Sequence, residues 1–114
     1  MQRGTTKFTS MGVKGTTATA VAGAATLNEF TGTVTSEALT TAAGSEYTLA
    51  LTNSKIEASS IVLASVTNGT NNQGVLCLIR AGATAGGALI VVRNIHASQA
   101  LNGTIKIAFL VVQQ

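Results

Sequence analysis

Three apolar runs follow one another between residues 74 and 112, separated by turn residues. Their sequences are VLCLIRAG, GALIVVRNIHAS and TIKIAFLVV. Aliphatic and β-branched residues dominate each run, which is typical of strands. Because successive side chains of a strand point to opposite faces, the last run is apolar on both sides, with Ile105 and Ile107 on one face and Leu110 and Val112 on the other. A sheet that is apolar on both faces needs a covering beyond its own core, so the pattern predicts a β domain that associates with copies of itself.

The earlier part of the chain predicts further strands. Alternating apolar and polar residues indicate strands within residues 26–39 and 46–53, a further strand is predicted near residues 60–67, and turn residues separate them. The small residues of AGATAGGA, residues 81–88, predict a flexible hairpin loop. Helical spacing is not sustained anywhere. We therefore predict an all-β fold, an antiparallel β-sandwich, with a two-sheet jelly roll as the first choice.

The N-terminal segment has a different composition. Residues 1–25 are mostly Thr, Ala and Gly without a period, and we predict an extended N-terminal arm, or an edge strand laid on a neighbour, before a β-sandwich domain at residues 26–114. Arg3, Lys7 and Lys14 precede every acid, while the four later bases equal the four acids, so the net charge of +3 lies in the arm. The three bases are candidate anchors on an acidic surface. The alternative is an ordinary solvated tail.

The composition excludes several partners. Charged residues make up only 10% of the chain, against about 25% in an average soluble protein, which suits a protein held inside an assembly. Aromatic residues make up 4%, and no basic stripe is interleaved with them, so nucleic-acid binding is not expected. No apolar run approaches the roughly 20 residues of a membrane-spanning helix, and no membrane partner is expected.

Residues that support catalysis or metal binding are scarce. The chain has no Asp, one His and one Cys, so we expect neither an enzyme nor a metal or cofactor site. Cys77 is interpreted as a small core residue and His96 as a hydrogen-bonded turn residue; a Cys77–His96 dyad is the less favoured alternative. The two Asn-Gly-Thr sequences, residues 68–70 and 102–104, are interpreted as turns.

Two blocks of the sequence carry a family resemblance. SSIVLASVTNGTNNQG and LIVVRNIHASQALNGTIKIAFLVV resemble the strand, Asn/Gly-rich turn, V-R-N-x-H-A and L-N-G-T-x-K-I-x-F pattern of small structural proteins of tailed-phage particles. The chain is most similar to the short jelly-roll head decoration, or cement, proteins, and related β-domains occur at the tips of tail fibres. The resemblance covers roughly residues 46–112.

The resemblance implies a function and a location. It implies a homotrimer on the outer surface of the capsid, made in the host cytoplasm, that binds the major capsid protein and stabilises its lattice. It brings no active site. Arg93, Asn94 and His96 match the polar end of a strand, and residues 102–104 match its turn, where hydrogen bonding and turn shaping are expected. The alternative is a tail-fibre or head-fibre tip that binds a host receptor.

Two groups of residues are candidate contact sites. Arg3, Lys7 and Lys14 are the candidate capsid-binding residues. The predicted subunit interface consists of aliphatic residues on the strand faces taken as outward: Leu76, Leu78, Ile90, Val92 and Leu110.

Overall fold

The structure, a computed structural model, describes residues 15–114. Eight strands make up the fold: β1 (Thr16–Thr19), β2 (Ala24–Thr26), β3 (Thr31–Thr35), β4 (Glu46–Thr52), β5 (Ile61–Asn68), β6 (Leu76–Thr84), β7 (Gly87–Asn94) and β8 (Ile105–Val112). Across this part of the chain there is no helix long and apolar enough to cross a membrane.

The strands form two four-stranded sheets that pack face to face. The first sheet has the order β1-β3-β8-β5 and the second the order β2-β4-β7-β6. The predicted all-β sandwich is therefore confirmed. The sheets are mixed, however, and not purely antiparallel as predicted, because β1 runs parallel to β3 and β2 runs parallel to β4.

The parallel pairs result from the path of the chain between the sheets. The first six strands alternate between the first and the second sheet, so β3 returns beside β1 only after the chain has crossed through β2. A crossover of this kind allows parallel pairing, which a tight hairpin does not. Side chains alternate in the same way in parallel and antiparallel strands, so the sequence pattern could not reveal the direction.

Strand β1 and the first two residues of β2 lie within residues 1–25, the segment predicted to be an extended arm. Both are edge strands, hydrogen-bonded to β3 and β4 of their own chain. The sandwich therefore extends into the predicted arm. Arg3, Lys7 and Lys14 lie outside the described residues.

The core lies between the two sheets and is made of the inward-facing residues. Tyr47, Leu49 and Leu51 share the buried face of β4, as their spacing predicted. Ile90 and Val92 of β7 are also core residues, with 0% and 1% of their surface exposed. Their assignment to a subunit interface was wrong, because the alternation of two apolar faces does not say which face points inward.

The segment 81–88 does not form the predicted flexible loop. Strand β6 continues to Thr84 and β7 begins at Gly87, so the hairpin turn contains only Ala85 and Gly86. Gly86 has a φ of +87°, a conformation that a residue without Cβ adopts at low cost. Ala81 and Ala83 pack against the core, so the small residues of this segment serve close packing in a strand.

Candidate interaction surfaces

One half of the outward face of the first sheet is aliphatic. Ile61 of β5 lies opposite Val112 of β8, and Leu63 lies opposite Leu110. These four side chains are 38–53% exposed. The prediction that β8 is apolar on both faces is confirmed here, at the end of the sheet where β8 finishes.

The other half of the same face carries hydroxyl groups. Thr17 of β1 lies opposite Thr33 of β3, and Thr67 of β5 lies opposite Lys106 of β8. A shallow groove of about 390 Å³ runs over this half. Its lining residues are Thr17, Thr33, Thr35, Ser65, Val66, Thr67, Lys106 and Ala108. They include no aromatic ring and no carboxylate.

Strands β5 and β6 are the end strands of the two sheets on the same side of the sandwich, where they pack together. Val66 on β5 and Leu76 and Leu78 on β6 pack against the core but remain only half-buried. By contrast, the inward Val34 in the middle of the first sheet is 0% exposed. The sandwich is thus incompletely closed along β5 and β6. We name this side the apolar edge, formed by Ile61, Leu63, Val66, Val75, Leu76 and Leu78.

Exposed apolar side chains concentrate around the apolar edge. Of the ten exposed large hydrophobic residues within residues 15–114, six lie on β5, on β6, immediately before β6, or opposite β5 on β8: Ile61, Leu63, Val75, Ile79, Leu110 and Val112. On the opposite side of the sandwich, Val21 is exposed between β1 and β2. Exposed apolar side chains are therefore more numerous on the β5–β6 side of the sandwich than on the side of β1 and β2.

The predicted interface residues occupy three different environments. Leu76 and Leu78 belong to the apolar edge, where they are half-buried, and Leu110 is exposed beside it. Ile90 and Val92 are in the core. The structure therefore brings part of the predicted set together on one side of the sandwich.

Asn94, at the end of β7, organises the loops near the apolar edge. Its side chain is fully buried, and its amide donates to the carbonyl oxygens of Thr41 at 3.2 Å and Gln99 at 2.7 Å. Its Oδ1 accepts from the backbone N–H groups of Val75 and His96, both at 3.1 Å. All four hydrogen-bonding positions of the amide are used, which satisfies a buried polar group.

The imidazole of His96 shapes the turn that follows. Its Nδ1 accepts hydrogen bonds from the backbone N–H groups of Ser98 and Gln99, each at 2.9 Å. His96 is therefore a hydrogen-bonded turn residue, as predicted.

Cys77 does not lie in the core as predicted. It is half-buried on the outward face of the second sheet, opposite Arg93 of β7, which in turn lies opposite Glu46 of β4. The prediction relied on the apolar residues before and after Cys77 in the sequence. In a strand these neighbours point to the opposite face, so they do not show that Cys77 itself is buried.

The two Asn-Gly-Thr sequences are not separate turns. Residues 68–70 and 102–104 lie side by side, continuing the ladder between β5 and β8: the N–H of Gly69 donates to the carbonyl of Thr104 at 2.9 Å. The N–H of Asn102 donates to the buried Oδ1 of Asn71 at 2.7 Å. The repeated motif was visible in the sequence, but the pairing of its two copies was not.

The fold and these surfaces define an all-β sandwich domain whose prominent surface feature is an apolar edge. Among residues 15–114, no three His, Cys, Asp or Glu side chains lie close enough together to hold a metal ion. Comparison with known proteins found no matching family model, no matching curated protein and no matching solved structure.

Proposed function

We propose that this protein is a decoration, or cement, protein of a tailed-bacteriophage head. In this proposal the chain, made in the host cytoplasm, forms a homotrimer, binds the outer surface of the capsid and stabilises the lattice of the major capsid protein. The proposal rests on the sequence resemblance and on one structural observation, the apolar edge. A surface of this kind suits a protein that works in contact with other subunits.

The composition of the surface supports an assembled state. Few charged residues are available to keep copies apart in solution, and the described face of the first sheet carries hydroxyl and aliphatic groups with Lys106 as its cation. Many weak contacts of such a surface around one particle add up to firm attachment. The eight strands in two four-stranded sheets also equal the strand number of a jelly roll, the fold that the resemblance implies.

The alternative, a fibre tip that binds a host receptor, has less support. A sugar-binding tip is expected to present aromatic rings or acids, and the hydroxyl-lined groove on the first sheet is lined by neither. Among the aromatic residues in the described part of the chain, Phe30 is exposed. Lys55 lies over its ring, with Nζ 5.4 Å from the centroid, so this face of the ring is already in contact with a side chain of the same chain.

A phage that lacks the gene separates the two functions. We expect particles without this protein to lose infectivity faster on heating or at low ionic strength, and purified protein to restore their survival. The same particles should adsorb to host cells at the normal rate. Stable heads with failed adsorption would favour the fibre tip instead. The gene neighbourhood offers a quick check, since a cement gene is expected beside that of the major capsid protein.

A further inference from the structure

We propose that the apolar edge is the contact surface between copies of this chain. The inference deepens the self-association contained in the proposed function, because it names the surface and the partner. It rests on the two edge strands, on their half-buried inward side chains and on the absence of charge along β5.

The edge strands leave backbone groups free for another subunit. Within residues 15–114, β5 hydrogen-bonds to β8 alone and β6 to β7 alone. Soluble proteins protect such edges with charges, prolines, bulges or short strands. β6 has a register shift between Leu78 and Arg80, and β1 and β2 are only four and three residues long. β5 has none of these features: its eight residues, IVLASVTN, pair regularly with β8 and contain no charge and no proline.

The inward side chains of the apolar edge lack full cover. Val66, Leu76 and Leu78 point toward the core but keep part of their surface in water. A shallow groove of about 310 Å³ adds to this opening, and Val66, Val75 and Leu76 line it together with Thr67, Asn68 and Gly74. Burial of these side chains against a neighbour removes apolar surface from water without any rearrangement of the sandwich.

The chemistry of the apolar edge selects a second copy as the occupant. β5 carries no charge and Arg80 is the charged residue of β6, so an acidic or basic partner finds little to pair with. Two copies can bury this aliphatic strip between them without like-charge repulsion along β5. In the proposed homotrimer each strip would pack against the next subunit of a ring, because a strip that pairs with itself closes a twofold dimer.

The size of the apolar edge is close to what such a contact needs. A strip as long as an eight-residue strand, about 27 Å, and about 20 Å wide, the sheet separation plus side chains, has a flat area of roughly 540 Å². Stable specific interfaces begin at about 600 Å² per partner. The apolar edge falls slightly below that size, so a contact made through it alone belongs to the weaker class of subunit contacts.

Two matched variants test the inference. Leu63→Lys places a charge on the apolar edge, and Leu89→Lys places the same charge on the outward face of the second sheet, at a leucine of similar exposure (53% and 40%). Sedimentation velocity over a dilution series should show an oligomer for the natural chain and for Leu89→Lys. For Leu63→Lys, the dissociation constant should rise by more than about tenfold, because an ammonium group resists burial.

A second position and a second measurement cover misfolding. If circular dichroism shows that Leu63→Lys is unfolded, Val75→Lys replaces it, because Val75 lies in the connection before β6 and is 44% exposed. On the natural chain, hydrogen exchange should show β5 amides losing protection on dilution, whereas β3 amides in the middle of the first sheet keep theirs.

The possible outcomes distinguish failure of the apolar-edge assignment from failure of the cement function. A natural chain that stays a single subunit at all concentrations, or an oligomer that survives Leu63→Lys, overturns the assignment of the apolar edge. The assignment is also overturned if the Leu89→Lys variant dissociates as readily as the Leu63→Lys variant. An oligomer that is lost in Leu63→Lys but never protects phage heads supports the apolar edge and overturns the cement function. A single subunit that protects heads does the reverse.

Discussion

Thr70 and Thr104 bond to each other reciprocally. The backbone N–H of each residue donates to the hydroxyl oxygen of the other, both at 2.9 Å, and the two hydroxyl oxygens are 3.2 Å apart. The arrangement closes the end of the β5–β8 ladder by joining the two Asn-Gly-Thr sequences. It requires glycine at Gly69 and Gly103, because a Cβ at either position would collide with Thr70 or Thr104.

The pairing of the two threonines predicts coupled stabilities. Thr70→Val and Thr104→Val each keep the side-chain shape and remove two of these hydrogen bonds, so each should lower the free energy of unfolding by about 1–2 kcal/mol. Chemical denaturation measures the change. In the double variant the loss should fall short of the sum by at least about 0.5 kcal/mol, since the second substitution removes a bond already broken.

Thr48→Val is the matched control for these variants. Thr48 lies on β4 with its side chain exposed, and the substitution should change the stability by less than about 0.5 kcal/mol. Additive losses at Thr70 and Thr104 would contradict the reciprocal bonding.

Asn94 predicts a larger loss from a single substitution. Asn94→Ala removes a fully buried amide and leaves two part-buried N–H groups and two carbonyl groups without their partner, and we expect a loss of about 3 kcal/mol or more. Asn28→Ala is the control: Asn28 is exposed and accepts one hydrogen bond, from Ser54, so its loss should stay near about 0.5–1 kcal/mol. Equal melting-curve shifts for the two variants would show that the buried network is not what holds these loops.

Tyr47 predicts how stability depends on alkaline pH. Its hydroxyl donates to Oε1 of Glu37 at 3.0 Å, and burial, together with this hydrogen bond and the Glu37 charge, raises the pKa of the phenol above its ordinary value of 10.0. The unfolded chain therefore loses the Tyr47 proton first. The stability contributed by the neutral phenol is complete below about pH 10 and falls as the pH rises above it.

Tyr47→Phe isolates this effect. Above about pH 10, the free energy of unfolding should decrease less with pH for the variant than for the natural chain. Deprotonation of the lysines affects both chains equally. Because Tyr47 is the one tyrosine and the chain has no tryptophan, tyrosinate absorbance reports it directly. A phenol of the folded chain that titrates at the ordinary value would contradict the prediction.

Under the proposed cement function, the N-terminal bases predict a salt-sensitive attachment to heads. Deletion of residues 1–14 removes Arg3, Lys7 and Lys14, the whole net charge of +3, and leaves all eight strands. We expect the shortened chain to fold and to keep its oligomeric state but to bind empty heads weakly at physiological salt. Co-sedimentation with heads measures the binding. Full binding by the shortened chain would show that the bases are a solvated tail.

Much of the fold could be predicted from local patterns. The alternation in β4 and the position of β5 were correct, because one buried and one exposed face leave a period of two in the sequence. The hairpin between β6 and β7 was placed correctly but made too long, since Ala and Gly occur both in loops and in close-packed strands. Cys77, Ile90 and Val92 were placed on the wrong face, because a strand with two apolar faces has no pattern that marks the inward one.

The amino-acid sequence by itself determined the β class, the scarcity of charge and the presence of more apolar strand surface than a small core requires. Those properties depend on residue type and spacing along one strand. Only the tertiary structure decided which apolar residues became the core, that β1 runs parallel to β3 and β2 parallel to β4, and that the two Asn-Gly-Thr sequences pair. It also gathered the remaining aliphatic side chains along β5 and β6. Contacts between strands distant in the chain decide such features, and no local pattern encodes them.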